Sequence, residues 1–147
     1  LFFPNGTVIT PDNKTLIVGE TYAARLTAFD KSEDGSLSNR RIWADLKVNA
    51  EEGTVPLPDG MCIDEEGAIW VASPSTAEVI RVHEGGMISE RIPVQTNAFA
   101  CMLGGEDRRT LFICTSNGSG VDPGAALREK SGKIEITQVD VPGCGKP

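Results

Sequence analysis

The chain has 147 residues, enough for one ordinary domain, and its 39 % hydrophobic and 24 % charged content excludes a disordered, collagenous or coiled-coil protein. Fourteen basic against 21 acidic residues leave a net charge of −7, which disfavours nucleic acid as a partner. No apolar stretch approaches the roughly 18 residues a membrane helix requires, so no membrane partner is expected.

The first predicted strands cover 7–10 and 15–19, separated by the turn Pro11-Asp12-Asn13-Lys14. Segments 25–30 and 40–45 then alternate apolar with charged residues, as strands with one wetter face do, around an Asp34-Gly35 turn. The same grammar restarts at Pro58-Asp59-Gly60 with strands at 61–64 and 68–72, followed by alternating strands at 78–82 and 89–94 around Gly85-Gly86. A third unit has strands at 99–103 and 110–115, then a Gly/Ser/Pro-rich loop over 116–131 and a strand at 133–139. Leu16, Ile69 and Leu111 hold equivalent places, 53 and 42 residues apart, which brackets the ~40–50 residues of a propeller blade.

The fold class is therefore all-β: about three four-stranded blades over 1–47, 56–95 and 96–141, half of a six-bladed β-propeller. Eleven strands are predicted, one short of three complete blades. Three blades do not close a ring, so the reading implies either a missing N-terminal half or a homodimer of two half-propellers. A first residue other than methionine favours the fragment.

Inner strands of a propeller converge, so residues at their starts meet although they are distant in sequence. Asn5 and Asp59 occupy nearly the same place in successive repeats, each directly before a glycine. Their oxygens are hard donors suited to calcium, magnesium or manganese, with zinc possible in a mixed site. The alternative is that Asn-Gly and Asp-Gly are simply turn dipeptides.

Other candidates are weaker. His83, the sole histidine, reads as a solvated turn residue, Glu65 and Glu66 as turn solvation, and Trp43 and Trp70 as strand packing. Thr96, Asn97 or Cys101 are placed to line the same mouth, with Cys101 read as packing. Gly118, Gly120 and Gly124 lack the Gly-Lys-Ser/Thr of a phosphate loop. Cys62, Cys101 and Cys114 lie in apolar runs, and with Cys144 they form no CxxC pair; buried thiols and a reducing, cytoplasmic setting are expected.

Pro4-Asn5-Gly6, Ser38-Asn39-Arg40-Arg41, Pro58-Asp59-Gly60-Met61-Cys62-Ile63-Asp64 and Ile69-Trp70-Val71-Ala72 resemble, in order, the C-terminal half of the senescence marker protein (regucalcin), gluconolactonase and luciferin-regenerating enzyme family. The resemblance implies a six-bladed propeller that hydrolyses a small-molecule lactone or related ester with one divalent cation, calcium foremost. It implies that Asn5 and Asp59 bind that cation and that Asp59 is a candidate general base. The family's glutamate ligand, a further asparagine and the arginine contacting substrate have no counterpart in this chain. Specificity contacts are expected in loops such as 48–57.

Overall fold

The computed structural model describes residues 1–48, 50, 54–118 and 123–145. Gly120 and part of the 48–57 loop lie outside the described residues.

Three antiparallel sheets follow one another along the chain. Sheet I is β1 (Pro4–Ile9), β2 (Thr15–Glu20), β3 (Arg25–Lys31) and β4 (Leu37–Asp45), each strand paired with the next. Sheet II repeats this order with β5 (Met61–Ile63), β6 (Ile69–Ser73), β7 (Glu78–Val82) and β8 (Ile88–Pro93). In sheet III, β9 (Asn97–Gly104) and β11 (Lys133–Gln138) flank β10 (Thr110–Ser116). The described strands number eleven and the last sheet lacks an outer member, as the strand pattern predicts. One element differs: a short helix, α1 (Pro123–Glu129), stands inside the stretch expected to be a loop. Its proline opens the helix, where a missing N–H is harmless, and Ala-Ala-Leu-Arg-Glu are good helix formers.

Sheet II sits between the other two and feeds both cores. Met61, Ile63, Ile69, Val71, Ile80 and Val82 pack with Val8, Ile17, Leu26, Trp43 and Leu46 of the sheet I side. The alternate residues Cys62, Trp70, Ala72 and Val79 pack with Ala98, Cys101, Leu111 and Ile113 of sheet III. Both tryptophans are thus packing residues, as expected.

The expectation of a wet face on the outer strands fails for β7, whose five residues are all buried. Cover on both sides forces its charges to pair internally. Arg81 donates from Nε to the fully buried Asp64 at 2.8 Å and from Nη2 to Glu66 at 2.7 Å, and Arg91 reaches Glu78 at 2.6 Å. Burial alone would loosen the Arg81 proton, but Asp64 and Glu66 outweigh it and hold the guanidinium more firmly. Glu65 and Glu66, although exposed, are ion-pair partners rather than mere turn solvation, Glu65 pairing with Arg108 of the β9–β10 turn.

None of the four cysteines is in a disulfide. Cys62 and Cys101 are buried as predicted, whereas Cys114 is exposed because it points from the uncovered face of sheet III. That face also displays Met102, Phe112, Ile134 and Ile136, the last two about two-thirds exposed at 68 % and 66 %. Among the described residues, no helix is long and apolar enough to cross a membrane.

A second internal charge anchors sheet I. Glu20 is fully buried and accepts hydrogen bonds from Thr27 Oγ1 (2.5 Å), Arg25 Nε (3.0 Å), Arg40 Nη2 (3.1 Å) and the Phe2 amide (2.5 Å). Burial raises its pKa, yet these donors outweigh burial and bring it from 4.5 down to about 2. The folded state therefore holds the carboxylate more tightly than the unfolded chain does. The resulting stability, on the order of 3 kcal/mol, is complete above pH 4.5 and vanishes as the pH falls towards 2. Urea midpoints measured from pH 7 to pH 2 are expected to show Glu20→Gln less stable than wild type at neutral pH, with the gap closing on acidification. A gap that stays constant with pH would refute this role.

Candidate functional site

The first strands of the three sheets are stitched together at their starts. The Gly6 amide donates to the Asp59 carbonyl at 2.9 Å, and one sheet further on the Gly60 amide donates to the Phe99 carbonyl at 2.9 Å. Neither glycine has a positive φ. Both are needed for closeness: a Cβ on Gly6 would lie 2.2 Å from the Asp59 carbonyl oxygen, and one on Gly60 would lie 2.7 Å from Ala100 Cα. The turn-dipeptide reading is thereby set aside, since Asn5-Gly6 lies inside β1 and Asp59-Gly60 immediately precedes β5.

This stitching makes Asn5, Asp59 and Phe99 successive positions around one cavity of about 600 Å3, whose lining also includes Phe3, Thr21, Tyr22, Leu57, Ser75 and Asn97. Asn5 lies where the β1–β2 register shifts, an irregularity between Pro4 and Thr7 of the kind that re-aims a side chain out of the ladder. The backbone on either side of Asp59 is fixed: its own amide donates to the Ala72 carbonyl at 3.0 Å, and Thr21 Oγ1 donates to the Pro58 carbonyl at 2.7 Å.

Asp59 is half-buried, and burial pushes its carboxyl up from the ordinary 3.8; a hydrogen bond with the Asn5 side chain recovers only part of that. Among the described residues, no lysine, arginine or histidine lines the cavity. A carboxylate that is partly desolvated, held by one amide and without a protein cation fits a divalent ion, and the second oxygen donor beside it is of the same hard type. Two such groups are half a donor set. Among the described residues no cluster of three or more His, Cys, Asp and Glu is placed to hold a metal.

The remaining sequence candidates divide. Asn97 lines the cavity and donates from Nδ2 to the Gly118 carbonyl at 3.3 Å. Thr96 is not in the lining, and its hydroxyl is buried. Cys101 is a packing residue: its thiol donates to the Trp70 carbonyl at 3.4 Å, and contact with Cys62 together with complete burial pushes its pKa well up. His83 stands at the β7–β8 hairpin, 3.0 Å from Ser89 Oγ and away from the cavity. Arg40 and Arg41 are spoken for by Glu20 and Asp30, the latter pair at 2.6 Å. Sequence reasoning missed Phe3 and Tyr22; the only signal was two aromatics beside strand ends that serve no core.

Comparison with known proteins agrees with this architecture. Residues 1–117 match the family described as SMP-30/Gluconolactonase/LRE-like region. The chain is 34 % identical over 145 residues to regucalcin of Oryctolagus cuniculus, covering 95 % of this chain and 46 % of that protein. It is 29 % identical over 144 residues to 6-deoxy-6-sulfogluconolactonase of Pseudomonas putida, covering 97 % and 48 %. Among solved structures, a calcium-binding regucalcin from Agrobacterium tumefaciens superposes with a TM-score of 0.73 at 21 % identity, covering 95 % of this chain and 47 % of that one. The chain spans about half the length of the curated relatives it matches. An all-β chain of three sheets with a propeller-type fold, it belongs to the SMP-30/gluconolactonase/LRE-like family.

Proposed function

We propose that the three sheets are blades over 1–47, 56–95 and 96–141 of a six-bladed propeller, and that the whole protein is a divalent-metal-dependent hydrolase of sugar lactones or related cyclic esters. The observation that carries this reading is the meeting of Asn5 and Asp59, 54 positions apart in sequence, at one cavity. A relative named for a sugar lactone supports the substrate class, and one named as calcium-binding supports calcium as the ion, with zinc, magnesium or manganese as alternatives. The apolar outer face of sheet III supports further blades packing against it. A cytoplasmic setting belongs to the same reading, supported by cysteines outside any disulfide.

In this reading the Asn5 amide oxygen and the Asp59 carboxylate hold the cation. A divalent ion there supplies Lewis-acid polarisation of the ester carbonyl. Asn5 orients the Asp59 carboxylate through their hydrogen bond, and Phe99 lines the same cavity. Asp59 either serves as an oxygen ligand or receives the proton of the attacking water; a carboxylate engaged by a cation is a weaker base, so these are competing descriptions.

Removal of divalent ions from the full-length protein by a chelator is expected to abolish glucono-δ-lactone hydrolysis, and calcium, zinc or manganese to restore it. Cation binding with no turnover would instead favour a non-catalytic metal-binding propeller. The exposed face of sheet III equally suits a second copy of the chain, which a dimer mass for the 147-residue chain would reveal.

A further inference from the structure

We propose that Phe3 and Tyr22 form a stacking wall in this cavity that takes the C–H face of a ring-shaped, hydroxylated ligand; the assignment of that ligand as a lactone rests on the function proposed above. The two rings meet with centroids 4.6 Å apart at an interplanar angle of 41°, and Phe2 backs Tyr22 at 5.6 Å. Neither lining ring is used for the core: Phe3 is 53 % and Tyr22 54 % exposed. Aromatic side chains of that size are ordinarily spent on packing, and a pair displayed at a cavity has faces to offer a ligand.

The display is held in place at a cost to the backbone. Phe3 has φ +56°, a left-handed conformation that bulky residues avoid and that the surrounding structure must enforce. Two clamps do so. The Phe2 amide donates to the buried Glu20 carboxylate, and the Thr21 amide donates to the Phe3 carbonyl at 3.1 Å. Tyr22 rides on a single 3-10 turn, Thr21–Ala23, whose first residue also bonds to the Pro58 carbonyl. Thr21 thus joins the aromatic pair to the chain that presents Asp59. The wall and the Asn5/Asp59 oxygens line one cavity, whose surface is divided between aromatic rings and oxygen donors.

A sugar-like ring has that same division, with C–H bonds across its face and oxygens around its edge. Flat contact with an aromatic surface buries the C–H face while the edge oxygens remain for polar groups. An open-chain ester of equal composition has no such face, so the wall selects for ring shape.

The test uses the full-length protein and 1,5-anhydroglucitol, a neutral ring with no ester to hydrolyse, observed by saturation-transfer NMR. The C–H protons of one face are expected to take up most saturation with wild type and Tyr22→Phe, and the effect is expected to be lost with Tyr22→Ala and Phe3→Ala. Because Tyr22 is half-exposed, melting curves of Tyr22→Ala are expected to match wild type. With glucono-δ-lactone, Tyr22→Ala is expected to raise KM by up to about tenfold with kcat nearly unchanged, the size of one aromatic contact. Absent ring binding by wild type, or equal binding by wild type and Tyr22→Ala, overturns the wall whatever the hydrolysis result. Intact, Tyr22-dependent ring binding without hydrolysis supports the wall and overturns the lactonase reading.

Discussion

Replacing Asp59 by Asn in the full-length protein is expected to abolish lactone hydrolysis while making the metal-free protein harder to unfold. The two effects have one cause. Partial burial disfavours the Asp59 charge, and the Asn5 side chain offsets this only in part, so the carboxyl's pKa is raised in the fold. Above that raised pKa, an ionised Asp59 opposes folding; below the ordinary 3.8 it does not. A neutral amide of the same shape removes the opposition at neutral pH but gives up the negative charge that a cation requires. Loss of turnover by at least about a thousandfold is the expected scale for removing a group that holds the ion or moves the proton. Thermal melts with and without calcium separate the consequences: wild type gains stability from the ion, whereas Asp59→Asn starts higher and gains nothing. Undiminished turnover, or a variant less stable than ion-free wild type, would remove Asp59 from this role.

Arg81→Met is expected to be the most damaging single change away from the cavity, costing about 3–5 kcal/mol, because it leaves a carboxylate buried without its cation. Asp64 is wholly inaccessible, and after the substitution its side chain keeps, among the described residues, the backbone amides of Glu66 and Ala68, each 3.0 Å from Oδ1. The pair as a whole is worth far less than either half suggests, since two desolvated charges only roughly repay their burial. Asp64→Asn combined with Arg81→Met is therefore expected to recover most of the loss, giving a strongly favourable coupling in a double-mutant cycle read by urea denaturation. Simple addition of the two single losses would show that Arg81 acts through packing of its stem alone.

These two residues also mark where sequence reasoning reaches its limit. Strands were legible because their signal is local: Thr15 to Gly19, Ile69 to Ala72 and Leu111 to Thr115 declare themselves by composition and the turns beside them. Asn5 and Asp59 were legible as a pair because the repeat placed them in register. Asp64 and Arg81 were not, since a charge in an alternating strand looks solvated until the cover from a neighbouring sheet is known. The same holds for Gly6 and Gly60, which read as turn glycines beside Asn and Asp but owe their place to backbone contacts made 53 and 40 residues away. Helix α1 escaped notice because Gly and Pro dominate its surroundings, although its own Ala-Ala-Leu-Arg-Glu favours a helix.

The amide-to-carbonyl links from Gly6 to Asp59 and from Gly60 to Phe99 are made by main-chain atoms alone, and neither uses the side chain that precedes its glycine. Spacing around the cavity is consequently independent of what is spaced. A single substitution at position 5, 59 or 99 exchanges an amide, a carboxylate or a phenyl ring while these main-chain links stay available. Within such a scaffold a lineage can revise its chemistry one site at a time, and half-altered intermediates still fold.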